Sequence, residues 1–266
     1  MTKKLRAINY PALFIIIIYP ILLLIAAKIY SSKYSIGKFE VISVISSYYI
    51  INISVGVGLH RLWSHNAFKT KKWIEVILAC ISAGALQGPI LAWSSDHISH
   101  HMYTDKEKDP HTSFKYKNKF IGFMWSHIGW MILSNNKQKK INKIALARLG
   151  RNKIVIWQFK NYWKIAILMN TMIPIIIGYV FGGSLQYALS TFIFIGIGRV
   201  IQQQATFCVN SVVHMNIGSK RYHYGSARDV WWLSFLLLGE NWHNFHHAFA
   251  NDYRNGHKWY DLDVHK

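Results

Sequence analysis

Four long apolar runs constrain this chain more than any other feature. ALFIIIIYPILLLIAAKIY (12–30) carries one charge, near its end. It is long enough to cross a bilayer, which takes about 20 helical residues. VISVISSYYIINISVGVG (41–58), IAILMNTMIPIIIGYVFGG (165–183) and LQYALSTFIFIGIGRVIQQQA (185–205) are three further spans, paired as two hairpins. A fifth run, IEVILACISAGALQGPILAW (74–93), is interrupted by Glu75, Gln87, Gly88 and Pro89, and is expected to lie in the cytosol or at the interface. The first span follows Lys3, Lys4 and Arg6 but exceeds the usual core of a signal peptide, and no small-x-small cleavage site precedes a soluble domain. The reading is an all-α integral membrane protein of one domain, 1–266, with four transmembrane helices.

Charge sets the expected orientation. The formal net charge of +20 would ordinarily point to nucleic acid. The distribution speaks against that, because 18 of the 31 Lys and Arg residues lie between His60 and Lys164 and 6 more follow residue 206. The FGGSLQ connection between the last two spans carries none. Lys and Arg collect on the cytoplasmic side of membrane proteins. Both termini and the segments 59–164 and 206–266 are therefore expected in the cytoplasm, facing anionic headgroups, with no nucleic-acid role. Cys80 and Cys208 stand alone in apolar surroundings and offer neither a disulfide framework nor a zinc ribbon. The Lys- and Asn-rich stretch 135–143 reads as a loop.

The histidines form groups. HRLWSH supplies His60 and His65, DHISHH supplies His97, His100 and His101, NSVVH supplies His214, and HNFHH supplies His243, His246 and His247. On a helix, residues at i, i+3 and i+4 share one face, so each H-x-x-H-H presents three imidazoles in one direction; Asn210 and His214 share a face likewise. Every group falls near the cytosolic end of an expected span. Nine imidazoles converging there are too many for one ion and suit two. Neutral imidazole is a ligand for Fe, Zn, Cu or Ni. No HExxH or C-x-x-C is present, and a zinc hydrolase needs three protein ligands rather than nine. A transporter would place ligands at membrane depth. Redox-active iron at the membrane surface fits an apolar substrate entering from lipid. His111, His127, His223, His257 and His265 stand outside the groups and read as structural or supporting residues.

GLHRLWSH (58–65), ALQGPILAWSSDHISHH (85–101), YTDKEKDPH (103–111), FMWSHIGW (123–130), VNSVVH (209–214) and GENWHNFHHAFANDY (239–253) together resemble the membrane-bound fatty acid desaturases, most closely the acyl-CoA (stearoyl-CoA) branch. The resemblance implies four transmembrane helices carrying a cytosolic helical cap over an acyl tunnel. It implies two non-haem irons on the nine histidines, with Asn210 holding a water at one. The implied reaction introduces a C=C bond into a fatty acyl chain, consuming O2 and two electrons. Asp96, Asp105, Asp109, Asp229 and Glu240 are the candidates to orient the ligands, or else serve as surface charges and helix caps. No electron-carrying domain is fused, so a separate donor is expected, a ferredoxin or a b-type cytochrome with its reductase. The alternatives are a hydroxylase or other oxidase on the same diiron site, and a non-catalytic membrane metal-binding or transport protein.

Two departures from the resemblance matter. Positions that commonly carry CoA-contacting cations in that branch are here Ser95, Ser134 and Asn135. Phosphate recognition relies on such cations. CoA is therefore not expected in the usual mode, and the acyl carrier is CoA, an acyl carrier protein or a phospholipid. The chain also ends at WYDLDVHK (259–266), where relatives commonly continue with an amphipathic helix, leaving a more open cap or a place for a partner. The expected location is a bacterial inner membrane.

Overall fold

The computed structural model describes residues 7–133 and 141–266; Ser134, Asn135 and most of the Lys-rich stretch lie outside them. Among the described residues all regular structure is helical, apart from the isolated bridges Ser219↔Asp229 and Asp229↔Trp242.

Four helices are long and apolar enough to span a bilayer: α1 (Tyr10–Ser31), α2 (Lys38–Ser64), a third helix (Lys153–Gly182) and a fourth (Leu185–His214, regular over Leu185–Asn210). A bilayer offers no water to unpaired backbone groups, so aliphatic runs of this length settle as helices whose N–H and C=O groups bond internally. Three of the four extend further toward the histidine-bearing side than the apolar runs alone. The third starts at Lys153 rather than 165, because the exposed Lys153, Lys160 and Lys164 interrupt the apolar pattern without breaking the helix. That helix is broken at Thr171 (φ −123°, ψ −74°), three residues before Pro174. The carbonyl of Met169 and the Asn170 side chain at the break are held by Arg199 of the fourth helix, Nη1 lying 2.9 Å from Asn170 Oδ1.

The fourth helix runs along α2 and α1. Their approach is close because Gly198 faces Ser47 and the Val44 carbonyl with no Cβ between, and Ser47 Oγ donates to the Ile195 carbonyl at 3.2 Å. Between the two hairpins, the 74–93 run is divided between α3 (Lys72–Ala83) and α4 (Ile90–Tyr103). The chain turns at 84–89, where Leu86 and Gly88 take positive φ and Pro89 precedes α4. A core of Ile51, Val55, Leu59, Trp63, Ile90 and Val155 ties α2, α3, α4 and the third span together on the histidine-bearing side. After the fourth span the chain folds over this end and carries α5 (Ser234–Leu237) and α6 (His243–Ala248).

Candidate metal centre

Position along a helix explains most of the histidine geometry, with one exception. His97, His100 and His101 project from α4, and His243, His246 and His247 from α6, each at i, i+3, i+4. His60 and His65 are five apart, which on an α-helix places them about 140° from one another. Here Ser54–Ser64 is a π-type segment, and His65 N–H donates to the His60 carbonyl at 3.1 Å in an i→i+5 bond. Widening the turn by one residue brings both rings to one side, with centroids 4.9 Å apart.

The nine expected histidines fall into two groups. His60, His65, His97, His101 and His246 form one, and His100, His214, His243 and His247 the other; within each, one nitrogen per ring lies within 4.8 Å of all the rest. Facing Nε2 atoms are 3.0 Å apart for His60 and His246, 2.7 Å for His65 and His97, 3.0 Å for His101 and His246, 3.2 Å for His100 and His247, and 3.1 Å for His243 and His247. Two imidazoles bound to one ion at right angles, each about 2.1 Å from it, sit about 3.0 Å apart, whereas tetrahedral ligands sit about 3.4 Å apart.

The hydrogen-bond partners of three rings bear on where their protons sit. His60 Nδ1 lies 2.5 Å from Glu240 Oε2, and His100 Nδ1 lies 3.0 Å from Asp109 Oδ1. His214 Nδ1 lies 2.9 Å from Ser226 Oγ, which donates at 2.5 Å to Asp105 Oδ1. A neutral imidazole carries one N–H. With that proton on Nδ1 facing the acceptor, the Nε2 atoms of these rings are left as lone pairs; the tautomers are assigned from these partners. The buried Nε2 of His214 has no hydrogen-bond partner. A metal ion between the rings would accept these lone pairs together. Burial, followed by neighbouring imidazoles, holds the pKa values of His65, His97, His100, His101, His243, His246 and His247 well below the usual histidine value, which keeps them neutral and ready to ligate.

Four of the five expected carboxylates contact a ligand-group imidazole, a residue bonded to one, or the start of α6. Asp109 accepts from His100 directly, Glu240 lies in ion-pair contact with His60, and Asp105 reaches His214 through Ser226. For Glu240, burial would raise the carboxyl pKa, but His60, His265 and Arg61 outweigh it and hold it well below the carboxylate range. Asp229 Oδ1 accepts the backbone N–H groups of Asn244 (2.9 Å) and Phe245 (3.4 Å), fixing the start of α6. Asp96 lines the larger of two cavities beside His97. Asn210 lines both cavities, next to His100 and His243 in the smaller one.

Other supporting residues have no pattern in the sequence. His111 stacks on His100 with centroids 4.2 Å apart and forms a third cluster with His100 and Asp109. Trp93 stacks on His97 at 5.0 Å. The tail does not leave the cap open on this side, because its polar side chains have buried partners inside. His265 Nδ1 lies 3.1 Å from Glu240 Oε1, and Asp263 Oδ1 lies 2.8 Å from the Nη2 of buried Arg61. Gly56 of α2 is the residue that leaves room for the His265 ring. Ser95 is buried too: its Oγ accepts the backbone N–H of Asn142 at 2.8 Å.

The smaller cavity, of about 40 Å³, lies between His60, His97, His100, His243 and Glu240. The larger, of about 520 Å³, is walled by Ile15, Ile16, Leu86, Trp163 and Phe207, a volume in the ordinary range for a small-molecule site. Trp93, His97, His111, Thr206 and Asn210 line both.

Fold and site together define a helical membrane protein with two histidine groups that could hold metal, the first of them reaching a largely apolar cavity at His97. The chain belongs to the fatty acid desaturase family, whose sequence model matches residues 41–264. It is 38% identical over 213 residues to a probable acyl-CoA desaturase of Schizosaccharomyces pombe, covering 79% of this chain and 42% of that protein. It is 33% identical over 241 residues to the Delta-9 desaturase-like 2 protein of Arabidopsis thaliana, covering 88% and 73%. Acyl-CoA desaturase 1 of Saccharomyces cerevisiae is 34% identical over 223 residues, covering 81% and 41%. The chain thus spans about two fifths of the length of the two yeast relatives and most of the plant one.

Proposed function

We propose that this chain desaturates a fatty acyl chain, with two iron ions held by His60, His65, His97, His101 and His246 and by His100, His214, His243 and His247. The supporting observation is that the larger cavity reaches the first histidine group at His97 and, at His111, the ring that stacks on His100 of the second. Iron, when bound, supplies the oxidising power for removing two hydrogen atoms from adjacent methylenes, while O2, two electrons and two protons become two waters.

The chain's own residues do the rest. The apolar wall excludes water and lays the acyl chain against His97 and His111. Glu240 and Asp109 hold the Nδ1 protons of His60 and His100, so that Nε2 faces inward, and Ser226 does the same for His214. Asn210 sits where its amide can hold a water beside His100 and His243. The all-imidazole donor sets suit iron, one of the metals that imidazole binds. The electrons come from a separate donor, a ferredoxin or a b-type cytochrome with its reductase, and the histidine-bearing side faces the cytoplasm. The names of the yeast relatives support a CoA thioester as the carrier. Ser95, engaged with Asn142, takes no part in recognising it.

Gas chromatography–mass spectrometry of total fatty acids from a host co-expressing an electron donor tests this, alongside the iron content of the purified protein. A new unsaturated species with wild type that disappears with His100→Ala is the expected outcome. A hydroxylated product would instead assign the site to a hydroxylase, and full activity in His100→Ala would overturn the diiron assignment.

A further inference from the structure

The segment 231–237 presents its large apolar side chains outward. Trp231 is 73% exposed, Trp232 51% and Phe235 75%, whereas Leu233 and Leu237 on the other face are buried. Its single turn, Ser234–Leu237, ends at Leu238 with φ of +50°, so its carbonyls have no helical continuation to satisfy them. In water they would need nothing further. Here α2 supplies the donors: Tyr48 Oη and Asn52 Nδ2 both donate to the Leu236 carbonyl, at 2.6 and 2.8 Å, and Tyr49 Oη donates to the Phe235 carbonyl at 3.4 Å.

Depth decides what surrounds this turn. Tyr48 and Asn52 lie ten and fourteen residues along α2 from Lys38, about 15 and 21 Å at the helical rise, and the hydrocarbon core is about 30 Å thick. With Lys38 at the far boundary, the Leu236 carbonyl sits roughly 10–15 Å below the histidine-side surface of that core. The exposed aromatics are also continuous with a lipid-facing stripe of α2, Ile45, Tyr49 and Ile53, whose Tyr49 makes the bond to Phe235.

We propose that residues 231–237 are a wedge inserted into the acyl layer of the leaflet on the histidine-bearing side, with lipid chains as the occupant of their outer face. Backbone at this depth is tolerated only where protein donors satisfy it, which gives the polar Tyr48 and Asn52 of a spanning helix a reason to be there. The inner face of the wedge is Leu237, which lines the small cavity with His60 and Glu240, so the leaflet bears on the wall of the metal centre. This holds whichever reaction the site performs.

Spin labelling in lipid nanodiscs of phosphatidylcholine and phosphatidylglycerol tests the wedge. In the iron-loaded protein with Cys80→Ala and Cys208→Ala, labels are placed by Phe235→Cys and, separately, by Trp231→Cys. Ile45→Cys serves as the lipid reference and Asn251→Cys as the aqueous one. The expected result is an oxygen-to-nickel-chelate collision ratio at 235 and 231 matching that at 45, about an order of magnitude above that at 251. A ratio like that at 251 would overturn the proposal by placing the segment in water. Exclusion of both reagents with spin–spin broadening would overturn it in favour of a contact between two copies.

Discussion

At the scale of single residues, the centre depends on where each imidazole proton sits. Glu240 Oε2 is 2.5 Å from His60 Nδ1, while Oε1 is met by His265 and, at 3.5 Å, by Arg61. Replacing the carboxylate by an amide removes the charge that orients His60, and the amide N–H₂ competes for the same site. Arg61 keeps Asp263 and the Tyr253 carbonyl, so the fold is expected to survive Glu240→Gln. Support residues of this kind are worth about 10–100-fold in metal affinity or activity. Iron retained after dialysis against a graded chelator should therefore fall by that factor in Glu240→Gln, and likewise in Asp109→Asn. Retention equal to wild type in both would refute the orienting role. Ser226→Ala tests the third arm by the same assay: His214 loses the hydroxyl between it and Asp105, and loss of iron from the His214 group with iron at the other group retained is the expected outcome, read by Mössbauer spectroscopy as one site depleted.

At the scale of elements, α6 carries three of the nine histidines on six residues, too few to hold a helix by propensity alone. Asp229 caps it from fifteen residues upstream in the chain. Asp229→Ala should cost about 1 kcal/mol, the usual worth of such a cap, and Asp229→Asn much less because asparagine also caps well. Melting temperature and iron content measured together distinguish this: both should drop in the alanine variant and largely recover in the asparagine one. Such an element also marks the limit of what sequence conveys. The two H-x-x-H-H groups were legible because the α-helical period alone aligns their rings. His60 and His65 were legible as a pair only by residue type, since the π-type turn that aligns them leaves no mark in local periodicity. Ser226 and Arg61 were not legible at all, and His265 only as a residue outside the groups, because each reaches the centre through long-range folding of the chain.

At the scale of the molecule, the number and order of the spans followed from hydropathy, since lipid burial is written in composition. Their ends did not follow, because Lys153, Lys160 and Lys164 sit on exposed turns of a helix that continues past the apolar run. The cavity was likewise beyond periodicity. Its wall combines Ala12, Ile15 and Ile16 of α1 with Leu86, Trp163 and Phe207, which lie far apart along the chain. Because that wall is shared among elements that meet only in the folded protein, filling it from one side should alter capacity without touching a histidine. Ala12→Phe adds a ring to a half-buried position beside Ile15, Ile16 and Phe207. If the cavity of about 520 Å³ receives the acyl chain, conversion of the longest accepted chain should fall relative to shorter ones, with iron content and melting temperature close to wild type. Competition between acyl thioesters of different length, read by mass spectrometry in one reaction, reports this ratio directly. An unchanged length preference would move the acyl site away from α1, whereas equal loss at every length would point to a damaged fold rather than a shortened cavity.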